Sequence, residues 1–205
     1  MEASFWHEKW ESGILGFHQS DGNPWLREHI ANLNLPRGAR IFLPLCGKTR
    51  DAAWLLGCGY LVVGAELSPL AIGALFHELA IQPTESTVGE LTLYGAPNIQ
   101  IFGGDFFALD AHLLGPVDAV YDRAALVALP ASQRQRYASH LIQITAAAPQ
   151  LLITYEYDPE QMEGPPFSVL PDEVRQHYGT VYQLHPLACQ ESEFNAARET
   201  IWWLQ

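Results

Sequence analysis

Gly47 and Glu66 stand about 20 positions apart, the spacing at which a glycine turn after one strand and an acid ending the next grip an adenosine. The glycine lets the backbone pass close to a ligand, and a following helix offers unpaired amides to an anion. The acid then accepts both ribose hydroxyls. The alternative for Glu66 is an ordinary solvated carboxylate. The turn Pro44-Leu45-Cys46-Gly47-Lys48 holds a single glycine, so the G-x-G-x-x-G signature of a nicotinamide dinucleotide site is absent. Asp105-Phe106 offers a carboxylate for an exocyclic amine beside an apolar wall for a base; a loop acid next to a core aromatic is the competing reading. In Tyr121-Asp122-Arg123 the guanidinium can fork onto a carboxylate or an anionic substrate, or else pair internally with Asp122 or another carboxylate.

Other chemistries lack their residues. Cys46 has no His and Asn arrangement nearby in sequence and reads as a buried, inert thiol beside the ligand. His7-Glu8-Lys9-Trp10-Glu11 ends in glutamate where the zinc motif H-E-x-x-H needs histidine, and the eight histidines show no ligand spacing, so no metal is expected.

These residues sit at the ends of short apolar runs that alternate with helical patterns, the order of an α/β fold with a mostly parallel sheet. The pattern predicts strands over 40–45, 60–66, 99–103, 117–121 and 151–155. Helices are expected over 51–57, 69–79 (capped by Ser68 before Pro69) and 130–148, with Tyr137, Leu141 and Ile144 on one stripe. Residues 180–187 and 199–204 read as an antiparallel pair at one sheet edge. Residues 82–98 read as an insertion with a short strand at 91–94, and 5–35 as two helical pieces, the second starting at Asp21-Gly22-Asn23-Pro24.

Composition narrows the ligands. Hydrophobic residues are 48% of the 205 and charged residues 17%, enough for a sizeable core. With 11 Lys and Arg against 23 Asp and Glu, the net charge of −12 opposes nucleic acid and favours a small molecule, held by one of the few arginines. Three cysteines without a paired framework suit a reducing, cytoplasmic setting. The sequence MEASFWHEKW does not read as a signal peptide, and no apolar run approaches the roughly 20 residues that span a bilayer.

Taken together, several blocks resemble the thiopurine S-methyltransferase family. They are Phe5-Trp6, Trp10, Phe17-His18-Gln19, the Pro44–Lys48 turn, Val63–Ser68, Asp122–Ala128, and Tyr157-Asp158-Pro159 followed by Gly164-Pro165-Pro166-Phe167. They run to about residue 167 in the family's order. The resemblance implies one domain with a Rossmann-like class I S-adenosylmethionine-dependent methyltransferase fold. Its sheet would be mostly parallel with an antiparallel edge, with an N-terminal helical lid over 1–35 and the core over 36–205. It implies S-adenosyl-L-methionine as cofactor and a small thiol or selenol as acceptor, thiopurines included, with selenium and tellurium detoxification as a candidate setting. By position, Trp10, Leu45, Gly47, Glu66, Asp105, Phe106 and Arg123 would bind the cofactor. Phe17 and Arg123 would meet the acceptor, and Arg123 would serve catalysis. Trp10 and Phe17 belong to the implied lid.

Departures from the family are few. Ala124 stands where animal relatives carry glycine, and the stretch after Phe167 is less diagnostic. Arg198 is either a second cation near the acceptor or a surface residue. Methyl transfer from a sulfonium gains from a dry, aligned pocket more than from an acid or base, so Arg123 is expected to orient the acceptor and favour its anion. A monomer is expected. The competing function is a non-catalytic S-adenosylmethionine or nucleotide-binding module, which would never turn the cofactor over.

Overall fold

The computed structural model describes residues 3–13, 21–160, 162–191 and 197–205. Helices α1 (Ala3–Ser12) and α2 (Pro24–His29) precede β1 (Arg40–Leu43), α3 (Asp51–Gly57), β2 (Leu61–Glu66) and α4 (Pro69–Glu78). Then follow β3 (Thr84–Val88), β4 (Leu91–Ala96), β5 (Ile99–Gly103), α5 (Ala111–Leu114), β6 (Ala119–Asp122), α6 (Ala131–Ile144) and β7 (Gln150–Glu156). Helix α7 (Pro171–Tyr178) and strands β8 (Leu184–Glu191) and β9 (Arg198–Leu204) complete the order.

The described strands form one sheet in the order β3-β4-β5-β2-β1-β6-β7-β9-β8. Its centre, β5-β2-β1-β6-β7, is parallel. This is the Rossmann-like class I arrangement, in which the order reverses beside β1 and opens a crevice at the strands' carboxyl ends. Successive residues of a strand point to opposite faces, and in β1 both Ile41 and Phe42 are fully buried. Phe42 joins Val63, Phe102, Tyr137 and Leu141 on the α6 and α7 side. Ile41 joins Trp25, Leu26, Leu55, Ile72 and Tyr121 on the side of α2, α3 and α4.

The predicted stripe of α6 is buried at Tyr137, Leu141 and Ile144. Ser68 caps α4 through its hydroxyl, which accepts from the Ala71 N–H at 3.3 Å. Several expectations change. Helix α6 ends at Ile144, short of residue 148, before Ala146 and Ala147 turn to φ +50° and +56°, and β6 starts at Ala119, not Val117. Strand β1 stops at Leu43 because Leu45 takes a left-handed φ of +46°, outside the extended region. The 82–98 insertion is a full hairpin, β3 with β4, which adds a second antiparallel edge through β5. Its turn is Gly89-Glu90, and Gly89 has φ +60°, the handedness that a two-residue hairpin turn needs. The penultimate strand starts at Leu184, not Thr180. Tyr182 is drawn into the core instead, its hydroxyl donating to the Ala148 carbonyl at 3.1 Å and accepting from Gln150 Nε2 at 2.9 Å. Strand β8 then shifts register against β9 between Pro186 and Ala188.

Candidate active site

The crevice at the strand ends opens into a cavity of about 460 Å³, within the range for small-molecule and cofactor sites. Trp10, Leu45, Gly47, Glu66, Asp105, Phe106 and Arg123 all line it. Seven of the eight residues singled out from sequence are therefore brought together, from five separate stretches of chain. The eighth, Phe17, lies outside the described residues.

Glu66, the last residue of β2, is 6% exposed. Its Oε2 accepts the Gly47 N–H at 2.7 Å and its Oε1 accepts the Ser68 N–H at 2.8 Å. One carboxylate thus pins the glycine turn to the start of α4. Burial pushes its carboxyl above the ordinary range, while the amides of Ser68, Gly47 and Leu67 pull it back. An ionised carboxylate has about four acceptor positions. The N–H groups of Gly47 and Ser68 occupy one position on each oxygen of Glu66, and acceptor capacity remains for a ligand hydroxyl. Beside it Cys46 is buried, its thiol pushed well up by burial and then by the charge of Glu66. Thiolate chemistry at Cys46 is thereby disfavoured.

Asp105 starts a 3-10 helix, Phe106–Ala108, where its Oδ1 accepts the Phe107 N–H at 3.0 Å. Phe106 is mostly a core residue, packed on Tyr137 and His140 with ring centroids 5.2 and 5.1 Å away. Its neighbour Phe107 is half-buried, lines the cavity as well, and carries the Arg136 guanidinium 3.7 Å above its ring.

The internal pair of Arg123 with Asp122 does not form. Asp122 is fully buried and accepts from the Tyr137 hydroxyl at 2.7 Å and the Leu126 N–H at 3.1 Å. Burial raises its carboxyl to about 6, against the pull of Tyr137 and of the Leu126 and Ala125 amides. Arg123 lines the cavity instead, and its charge partly offsets the upward push of burial on the Glu199 carboxyl. Ala124, the next residue, also lines the cavity and has φ +61°. That left-handed backbone is one that glycine adopts more readily than alanine.

Sequence reasoning missed Asp51, which is 2% exposed. Its Oδ1 accepts the Asn23 N–H at 2.6 Å, and its Oδ2 accepts the hydroxyls of Tyr121 at 3.0 Å and Thr49 at 3.1 Å. The segment leading into α2 is thereby tied to the sheet. Gly22 fits here because a Cβ would meet Asp51 Oδ1 at 2.7 Å and its φ is +75°. Also missed was the opposite wall, built by Val127, Leu129, Gln133, Pro165 and Pro166. Arg134, 3% exposed, braces that wall. It grips both oxygens of Glu173 at 2.8 and 2.7 Å and donates to the Leu129 carbonyl at 2.8 Å. The Phe167 N–H donates to the Val127 carbonyl at 2.6 Å, and the Tyr157 hydroxyl to the Pro166 carbonyl at 2.7 Å.

The family model described as thiopurine S-methyltransferase matches residues 1–203. Among curated relatives, a thiopurine S-methyltransferase of Xanthobacter autotrophicus is 54% identical, over 89% of this chain and 86% of its own. Another from Teredinibacter turnerae is 47% identical, over 100% of this chain and 97% of its own. Solved structures share the fold at low identity. A magnesium protoporphyrin IX methyltransferase from Synechocystis with bound SAH has TM-score 0.68 and 15% identity, covering 100% of both chains. A TehB-like SAM-dependent methyltransferase from Corynebacterium glutamicum has TM-score 0.60 and 14% identity, covering 99% and 98%.

Proposed function

Because the chain belongs to the thiopurine S-methyltransferase family, we propose that it methylates the sulfur or selenium of small thiols and selenols, aromatic and heterocyclic ones included. S-adenosylmethionine, when bound, supplies an electrophilic methyl group on a sulfonium. The observation that carries the reading is Glu66. It is a buried carboxylate at the end of β2 with both oxygens on backbone amides and acceptor positions to spare, facing a cavity that also holds Arg123 and Trp10.

The remaining roles are our reading from the family resemblance, supported by the lining of the cavity. Glu66 takes the ribose hydroxyls. Leu45, Gly47, Asp105 and Phe106 border the nucleoside, and Trp10 covers it. Arg123 faces the methionine carboxylate and the acceptor, and holds the sulfur as its anion by charge and by a forked pair of donors. A thiol of low pKa reaches that anion without a dedicated base. Residues 1–35 act as a lid, with Trp10 and Phe17 excluding water from the reacting atoms. Metalloid detoxification, through methylation of selenium or tellurium species, is the physiological setting we favour. We place the enzyme in the cytoplasm as a monomer, acting on small molecules and not on nucleic acid. The cysteine usage supports the first point and the charge of −12 the others. Among the described residues, no helix is long and apolar enough to cross a membrane.

Calorimetric titration with S-adenosylmethionine and S-adenosylhomocysteine tests the reading, on wild type and Glu66→Gln, followed by a screen of thiols and selenols for S-adenosylhomocysteine release. Wild type is expected to saturate with both ligands, and Glu66→Gln to bind at least about tenfold more weakly, the scale of one charge-assisted hydrogen bond. Failure of folded wild type to bind either ligand overturns the reading. Turnover confined to oxygen or nitrogen acceptors overturns the choice of sulfur and selenium.

A further inference from the structure

Among the described residues three basic side chains line the cavity, and they differ in what neutralises them. Lys48 donates to Glu78 Oε1 at 3.0 Å, a carboxylate that Arg50 also approaches at 3.5 Å. Arg123 stands in the field of Glu199. Arg136 has neither arrangement. Among the described residues it forms no ion pair, in a chain with 23 acids and 11 basic residues. Its guanidinium instead lies 3.7 Å above the Phe107 ring.

Stacking of this kind leaves the N–H edges of the guanidinium free. The ring fixes the plane, so less freedom is lost when the fork closes on a planar anion. Phe107 is itself held, its N–H on Asp105 Oδ1 at 3.0 Å and its ring 5.4 Å from that of His140. Arg136 is exposed, whereas Arg123 is partly buried. A ligand reaching both would place its reacting end near Arg123 and its far end near Arg136.

We infer that Arg136 is a specificity-determining residue, selecting acceptors that carry a carboxylate at the end remote from the sulfur. This rests on the methyl-transfer reading above, and it assigns the part of the cavity beside Arg136 and Phe107 to anion recognition. The stack with Phe107 sets the guanidinium plane, and a carboxylate takes the fork with two parallel hydrogen bonds.

The test compares 4-(methylthio)benzoate with its methyl ester, titrated calorimetrically into protein loaded with S-adenosylhomocysteine, for wild type, Arg136→Gln and Arg136→Lys. Kinetics with 4-mercaptobenzoate and its methyl ester run in parallel. Wild type is expected to prefer the acid about tenfold, the scale of a charge-assisted contact at a partly exposed site. Arg136→Gln should erase that preference with ester binding unchanged, Arg136→Lys should restore part of it, and the kinetic loss should fall on KM. Equal weakening of acid and ester, or a preference that survives Arg136→Gln, overturns the inference. So does weakened S-adenosylhomocysteine binding in the variants, which would give Arg136 to the cofactor. A binding preference that follows Arg136 while neither thiol is turned over supports the inference and counts against the methyl-transfer reading alone.

Discussion

The hydroxyl of Tyr121, in the central strand β6, donates to Asp51 Oδ2 at 3.0 Å, at the first residue of α3. The other oxygen of that carboxylate accepts the Asn23 N–H at 2.6 Å, so a single buried acid joins the N-terminal segment to the sheet beneath the cavity. Asp51→Ala would leave that amide and the phenol without their acceptor, each costing about 1–3 kcal/mol when buried. We expect a loss of roughly 3 kcal/mol in stability by denaturant unfolding, together with weaker S-adenosylmethionine binding. Faster proteolytic cleavage N-terminal to Asn23 is the companion readout. Tyr121→Phe, which removes one donor, is expected to cost about 1 kcal/mol; an equal loss in both variants would contradict the shared-acid description.

Ala124→Gly is expected to stabilise the enzyme. Left-handed backbone costs an L-residue about 1–2 kcal/mol, and Ala124 has φ +61°. Glycine gives back about 0.4–1 kcal/mol through the greater freedom of the unfolded chain. The net gain is about 0.5–1 kcal/mol, a rise of about 2 °C in Tm for a chain of this size. Differential scanning calorimetry measures it, and an unchanged or lower Tm would refute the strain.

Asp122 gives stability an unusual pH slope. Its carboxyl rises from 3.8 to about 6 on burial. Between those values the folded state binds more protons than the unfolded state, so stability falls as pH climbs through the window and stays lower above it. The contribution is about 3 kcal/mol at most. Asp122→Asn keeps an acceptor for the Leu126 N–H and abolishes the titration. Urea unfolding at pH 4.5 and 7 should show wild type gaining on the variant at the lower pH; a constant difference would remove Asp122 from the account.

The three thiols are expected to behave in two classes. Cys58 and Cys189 are exposed and Cys46 is buried, its thiol held protonated by burial and by Glu66. A disulfide reagent at pH 7 should titrate two thiols in the native protein and the third only after denaturation. Rapid reaction of three native thiols would show the turn around Gly47 to be far more open than described.

Much of the fold was legible because every parallel strand but β1 is a short apolar run closed by glycine or a polar residue, and the Gly47 and Glu66 spacing is a local fact of the chain. The hairpin at 84–96 was half read, as only Leu91–Tyr94 looks apolar and its partner strand is mostly polar and exposed. Arg136 carried no signal at all. Its place on Phe107 is made by packing α6 against the 3-10 helix at Phe106–Ala108, which no spacing within α6 reveals. Asp51 carried no signal beyond opening a predicted helix; its partners Tyr121 and Asn23 are distant in sequence and meet it only in the fold. The alternative pairing of Arg123 with Asp122 fails for a reason the sequence does not carry, since the strand turns the acid into the core toward Tyr137.

A sheet of this width has two outer strands whose unpaired backbone groups invite a second copy to continue the ladder. Both outer strands here are poor templates for such growth. Strand β3 is short, polar and charged at Glu85, while β8 carries Pro186 at the point where its register slips against β9. Charge, proline and irregular register are the devices that keep exposed edges from polymerising. The same two hairpins that flank the parallel centre thus guard the molecule against fibrous aggregation, and a substitution smoothing either edge would show first as lost solubility, with the reaction intact.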